Sequence, residues 1–311
     1  MIVMKFGGSS LATADRIRDC ASLIRAALPH HPLVVVSACG PTTRELRGAV
    51  ERAATHRPAA TAVVTRHRQL LVSLGLPRWV ADEILAELAE LLDGIHASSA
   101  LSLALVDRVL SCGERLSARI MAAQLRAMGV PALPVEAGDV GLLTDSRHGA
   151  ARPLGGIATD LGRQLTRLTG VPMVTGFIGR DRRGRITTLG RNGSDLSAAL
   201  VAAAVGAREL QIWTDVDGVM TADPARDTRA VPLPSLSFDT ASALAARGAT
   251  NLHRETLEAL RGSGVTVRVL NSRRPAAPGT RIDPCLPADR GVANADHGSP
   301  WSSATAAGLR R

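Results

Sequence analysis

Apolar residues recur along this chain in two different periods, and the switches between them mark out the elements. Residues 1–6 form a short apolar run, and Pro32-Leu-Val-Val-Val36 is apolar at every position, as a strand covered on both faces must be. Further strands are expected at 131–135, 171–178, 209–213 and 265–270. Between them the spacing turns helical. Ile17, Leu23 and Ile24 share one face of a helix over 11–28. From Glu45 to about Leu110 the pattern fits two helices joined around Gly75-Leu-Pro77, carrying Leu70, Leu71, Leu74, then Val80, Ile84, Leu85, Leu88, Leu91 and Leu92. That leucine stripe is too short for a zipper of several heptads and reads as core. Helices are also expected from Glu114 through Met121 and Leu125, after Asp195, after Phe238 and up to Leu260. Strands alternating with helices place the chain in the α/β class.

One stretch, 186–224, orders the rest. It reads as a strand end, the turn Gly190-Arg191-Asn192-Gly193, an alanine-rich helix, the strand Glu209-Leu-Gln-Ile-Trp213 and an acidic loop Thr214-Asp215-Val-Asp217-Gly218. Ser194 and Asp195 fall at an expected N-cap and first turn, and the free N–H groups of a helix start favour anions, with Arg191 beside them. An ordinary αβ unit with a polar turn explains the pattern equally well. The N-terminus breaks that tie. The first strand ends in Lys5-Phe-Gly7-Gly8-Ser9-Ser10, where backbone N–H groups can meet phosphate oxygens, although the spacing is neither a P-loop nor a dinucleotide fingerprint. Lys5 is the only lysine among 37 lysines and arginines, so one position retains a compact ammonium that a planar guanidinium does not replace. Glu114 follows Gly113 at an expected helix start, where capping is the simpler reading and facing a ligand amine the sharper one.

Composition sets limits. At 311 residues, 45% hydrophobic and with a mean hydropathy of +0.10, the chain can bury one large or two medium cores. Aromatics are 2% and tyrosine is absent, so that core is built from Leu, Val, Ile and Ala. The net charge of +9 raises nucleic acid as a partner, but the arginines are scattered and no basic run is interleaved with aromatics. Attraction for anionic small molecules such as nucleotides fits better. Cys20, Cys39, Cys112 and Cys285 form no CxxC pair and stand at no zinc spacing, so buried thiols in a reducing compartment are expected. His30 and His31 read as a solvated loop, with no carboxylate or Cys at ligand spacing. The N-terminus enters a strand with no signal segment, and no run approaches the ~18 apolar residues of a membrane span, so a cytoplasmic protein without a membrane partner is expected. From Asp283 onward periodicity is lost and a disordered tail is expected.

Taken together these residues resemble the aspartokinases of the amino acid kinase family. The match runs through Lys5-Phe-Gly-Gly-Ser-Ser10, Val36-Ser-Ala-Cys-Gly-Pro-Thr-Thr43, Gly113-Glu114, Thr144-Asp145, Gly176-Phe-Ile-Gly179, Thr187-Thr-Leu-Gly-Arg191-Asn-Gly-Ser-Asp195, Ile212-Trp-Thr-Asp-Val-Asp-Gly218, Thr221-Ala-Asp223-Pro224 and the Gly248 to His253 segment. The resemblance implies a three-layer αβα sandwich around a largely parallel sheet, with an amino-acid-binding and a nucleotide-binding lobe over 1–282 and a tail over 283–311. It implies transfer of the ATP γ-phosphoryl to the side-chain carboxylate of L-aspartate, with Mg²⁺ carried mainly by the phosphates. A related acidic amino acid as substrate, or a non-catalytic binding homologue, are the alternatives. Lys5 and Asp195 would be catalytic. Ser37, Thr43, Glu114, Arg191 and Ser194 would hold the amino acid, Glu114 by its ammonium and Arg191 by its α-carboxylate. Lys5, Gly7, Gly8, Ser9, Thr214, Asp215, Met220, Asp223 and Thr250 would meet the nucleotide. Four positions depart from the family's usual residues: Met220 stands for a tyrosine, Ala225 for an arginine, Thr250 for a lysine and Asn192 for a glycine. Arg226, Arg247 and Arg254 are nearby basic substitutes. The chain stops where aspartokinases continue into ACT-type regulatory domains, which implies a bare catalytic domain, and the apolar faces of such domains make a homodimer the expected assembly.

Overall fold

The structure, a computed structural model, describes residues 1–55, 61–98, 101–221, 230–246 and 252–286. The apolar runs form the strands β1 (Ile2–Phe6), β2 (Pro32–Val36), β3 (Ala132–Val135), β4 (Leu143–Thr144), β5 (Val171–Thr175), β6 (Ile178–Asp181), β7 (Ile186–Thr188), β8 (Glu209–Thr214), β9 (Ser235–Ser237), β10 (Thr266–Asn271) and β11 (Thr280–Asp283). The helices are α1 (Ala14–Ala26), α2 (Thr42–Ala54), α3 (Thr61–Leu74), α4 (Trp79–Ser98), α5 (Leu103–Ala127), α6 (Ala158–Thr166), α7 (Gly193–Ala204), α8 (Phe238–Ala246) and α9 (Arg254–Leu260). Eight strands make the central sheet in the order β3-β5-β2-β1-β8-β10-β11-β9, parallel except where β11 runs against β10. A second sheet, β4-β6-β7, includes the hairpin turning at Gly184.

Strand alternation sorts the core into two layers. Ile2, Met4, Phe6, Val34 and Val36 pack under α1–α5, while Val3, Leu33, Val35, Leu210 and Ile212 pack under α6–α9. Helices on both faces of a parallel sheet give the expected αβα sandwich. Lys5 shares its face with Val3, so period two alone aims the single lysine at α7. Phe6 and Trp213 stack on the opposite face with ring centroids 6.0 Å apart. The stripe on α3 and α4 is core, as read.

Several boundaries differ from the sequence reading. The 45–110 region holds α2, α3, α4 and the start of α5 rather than two helices; the Gly75 junction is real, and Ser102 caps α5 by accepting from the Leu105 N–H. The expected strand 171–178 breaks at Gly176 and Phe177, whose φ of 66° turns the chain out of β5 and into β6. The loop after Gly141 contains β4, and the 271–280 loop closes into strand β11, which extends order past 282 to Asp283. Cys20, Cys39 and Cys112 are buried, but Cys285 is exposed. Burial pushes the Cys39 thiol up to about 11 and the Cys112 thiol to about 12, which keeps both protonated and unreactive. His30 and His31 are exposed, as read. No described helix is long and apolar enough to cross a membrane.

One buried histidine has a consequence for stability. His67 of α3 is fully enclosed, its Nδ1 is 2.8 Å from the Val63 carbonyl, and desolvation lowers its pKa from the usual 6.5. The folded state therefore refuses a proton that the unfolded state takes below pH 6.5. Stability is intact above that pH and falls below it, by at most about 1.4 kcal/mol per pH unit. Thermal melts of the wild type and His67→Gln between pH 7.5 and 5.5 are expected to show a steeper fall for the wild type.

Candidate active site

The loops after β1 and β2 and the turn before α7 meet at the carboxyl edge of the sheet, where open α/β sheets place ligands. They enclose a cleft of about 600 Å³ lined by Lys5, Gly8, Ser37, Ala38, Thr43, Arg47, Glu114, Phe177, Arg191, Ser194 and Asp195, among others. Gly8 is required there, because a Cβ would lie 2.8 Å from the Ala38 carbonyl oxygen. The two loops touch backbone to backbone, tied by the Gly40 N–H donating to the Gly8 carbonyl at 2.9 Å.

Two charged groups sit in the floor. Lys5 Nζ lies 2.6 Å from Asp195 Oδ1, and both residues are only 8% exposed. Asp195 stands in the first turn of α7, where its charge also meets the helix N-terminus. On the α5 side Glu114 is 2% exposed; its Oε1 accepts from the Ala38 N–H at 3.1 Å and its Oε2 has no hydrogen-bond partner among the described residues. Burial pushes this carboxyl up to about 8. Facing them, Arg191 and Arg47 are exposed and make no ion pair or hydrogen bond within the described residues. With Lys5 and Asp195 neutralising each other, the cleft offers two free guanidinium groups and one unsatisfied carboxyl. That set complements a ligand carrying anionic groups and one ammonium.

The structure moves some expected roles. Glu114 is not at a helix start but in the middle of α5, so it caps nothing; Gly113 is needed inside the helix because a Cβ there would sit 2.8 Å from the Ala38 Cβ. Ser194 is not the N-cap of α7: Asn192 is, in the left-handed region at φ 57°, and Ser194 lies one residue inside the helix. The Gly7 N–H is not free for a phosphate, since it donates to the Trp213 carbonyl at 3.1 Å. The N–H groups of Gly8 and Ser9, opening a single 3₁₀ turn, have no such partner among the described residues. Thr214, Asp215 and Met220 do not line the cleft. Thr214 ends β8, whose Trp213 pairs in register with Phe6, so Thr214 and Asp215 lie beside the Gly7–Gly8 turn, whereas Met220 bridges to Pro232. Asp215 there faces Arg273 at 3.5 Å, and Asp217 accepts from Asn271 at 2.7 Å. Asp223, Ala225, Arg226, Arg247 and Thr250 lie outside the described residues.

Arg47 and Phe177 line the cleft without a role in the sequence reading. Arg47 follows Thr43 by four residues on α2, one turn along the same face, a spacing that could have exposed it. Phe177 enters through its positive φ, which bulk alone does not announce.

Fold and cleft together define a doubly wound α/β domain with a charged cleft at its sheet's carboxyl edge. The chain belongs to the amino acid kinase family, whose family model matches residues 1–271. It is 40% identical over 294 residues to the chloroplastic aspartokinase 1 of Arabidopsis thaliana, covering 90% of this chain and 51% of that protein. It is 35% identical over 297 residues to the bifunctional aspartokinase/homoserine dehydrogenase 2 of Escherichia coli K12, covering 93% and 36%. The crystal structure of E. coli aspartokinase III in complex with aspartate and ADP superposes with a TM-score of 0.83 at 31% identity, covering 91% of this chain and 64% of that one. The chain spans about half the length of the Arabidopsis relative it matches.

Proposed function

We propose that this cleft moves the γ-phosphoryl group of Mg-ATP onto the side-chain carboxylate of L-aspartate, giving 4-phospho-L-aspartate and ADP. The observation that carries the proposal is the buried, unsatisfied Oε2 of Glu114 in one cleft with unpaired Arg191 and the Lys5–Asp195 pair. In this reading Glu114 takes the α-ammonium, Arg191 the α-carboxylate, and Ser37, Thr43 and Ser194 line the same pocket. The side-chain carboxylate of aspartate, ionised above its pKa of about 3.9, attacks phosphorus without a general base. An O–P bond forms to the carboxylate, the bond from the γ-phosphorus to its bridging oxygen breaks, and ADP leaves with that oxygen. No proton has to move. Lys5 neutralises charge on the transferring group and Asp195 holds the ammonium in place, while Gly8 and Ser9 N–H groups meet phosphate oxygens. Thr214, Asp215 and Met220, with Asp223 and Thr250, form the nucleotide side, which makes the β8–β11 half the nucleotide lobe and the β1–β5 half the amino-acid lobe. Mg²⁺ arrives on the nucleotide phosphates as part of the substrate.

ADP release tests the headgroup reading. L-Aspartate is expected to drive release, whereas N-acetyl-aspartate, without an ammonium for Glu114, is not; equal rates with both would contradict it.

Glu114 also fixes a pH dependence. Its carboxyl is pushed up to about 8, so in the empty cleft it carries a proton at neutral pH. An ammonium ligand needs the ionised form, so binding releases that proton. Aspartate affinity is expected to rise about tenfold per pH unit from pH 6 toward 8 and then level off. Calorimetry in buffers of different ionisation enthalpy measures the released proton, and Glu114→Gln is expected to bind weakly with no slope.

A further inference from the structure

Behind the cleft lies a second buried carboxylate on the same helix. Asp107 of α5 is fully enclosed and lines no part of the cleft. Four hydrogen-bond contacts converge on it from three donors. Thr188 Oγ1 donates to Oδ1 at 2.6 Å. The Gly149 N–H reaches Oδ1 at 3.0 Å and Oδ2 at 3.1 Å, and His148 Nδ1 lies 2.8 Å from Oδ2. A buried carboxylate is costly unless it is satisfied in this way, so the network calls for a reason.

The donors lead to the arginine turn. Thr188 ends β7 two residues before Gly190, and its carbonyl accepts from the Ala151 N–H at 2.8 Å. Gly190, at φ 75°, lies against the 149–150 segment, where a Cβ would come within 3.4 Å of the Gly149 carbonyl oxygen. Leu189, between them, donates to the Phe177 carbonyl at 2.8 Å. The turn that carries Arg191 thus rests on a strand end and a loop that both hang from Asp107. Asp107 and Glu114 stand seven residues apart on one helix, two turns and about 10 Å along the same face.

We propose that Asp107 is a positioning residue for amino-acid recognition: through Thr188 and Gly149 it sets the Arg191 turn at a fixed distance from Glu114, so that α5 spaces the carboxylate receptor from the ammonium receptor. The proposal rests on the amino-acid reading of the cleft. Asp107→Asn leaves one oxygen where two now accept, so Thr188 Oγ1 and the Gly149 N–H share a single acceptor, and the new NH₂ is satisfied only with His148 Nδ1 as an acceptor. Thr188→Val keeps the shape and removes one donor, and Thr188→Ser restores it.

Turnover of the wild type with aspartate decides the amino-acid reading by itself, and the variants then decide the role of Asp107. Asp107→Asn is expected to raise KM for aspartate roughly 10–100-fold with KM for ATP within about twofold. Thr188→Val is expected to raise KM for aspartate about three- to tenfold, and Thr188→Ser to return it close to the wild type. Hydrogen exchange of the free protein is independent of any substrate: Thr188→Val is expected to speed exchange in 189–193 and leave 7–10 unchanged. Unchanged exchange at 189–193, or a KM for ATP that rises as far as that for aspartate, would overturn the proposal.

Discussion

Replacing Lys5 with methionine is expected to lower kcat by roughly 10²–10³-fold or more while KM for aspartate changes little. Preorganised charge aimed at a transferring group supplies about that much when one donor is removed. Methionine keeps the length and apolar stem of the side chain, so the loss reports the ammonium. The same substitution strands Asp195 without its 2.6 Å partner in a position only 8% exposed. Breaking a buried pair from one side destabilises by about 3–5 kcal/mol, so the melting temperature should fall as well. The double variant Lys5→Met/Asp195→Asn separates the two effects: stability is expected to recover in part, and activity not at all. Lys5→Arg keeps the charge but brings a wide planar fork to a site built for a point ammonium, and should remain far below wild type. Steady-state kinetics with both substrates, beside thermal melts, check each statement.

Arg191→Ala is expected to raise KM for the amino acid by roughly 30- to 1000-fold, the 2–4 kcal/mol typical of one lost partner in a hydrogen-bonded charge pair. It should do so without a stability cost, because Arg191 is exposed and makes no ion pair or hydrogen bond within the described residues. That contrast with Lys5 is the useful feature. One cation is part of the fold's charge balance; the other waits for a ligand. Arg191→Lys should recover only part of the loss, since an ammonium cannot engage a carboxylate through two parallel N–H groups. A melting temperature that falls with Arg191→Ala, or an unchanged KM, would mean that the side chain has another job.

Much of this was legible in the chain. The apolar run Pro32–Val36 announces a strand buried on both faces, and alternation along Ile2–Phe6 already aims Lys5 away from the Met4 and Phe6 face. The glycine-broken turn before Asp195 announces the helix whose first turn meets that lysine. What stayed hidden depends on contacts between distant segments. Glu114 reads locally as a cap after a glycine, and only the packing of Gly113 on Ala38 shows why the glycine is inside a helix. The Gly7 N–H reads as a phosphate donor until the neighbouring β8 is seen to claim it. Asp107 is one aspartate among many until Thr188, 81 residues away, is found bonded to it. Periodicity reports which face a residue occupies; it does not report which partner crosses from another element.

The most direct test of the central claim is the product. Incubation with Mg-ATP, L-aspartate and hydroxylamine should trap an acyl phosphate as aspartate hydroxamate, with ADP formed in equal amount and no product from Lys5→Met. ADP formed without hydroxamate, or no turnover by a wild type that still binds both ligands, would contradict phosphoryl transfer to a carboxylate in this cleft.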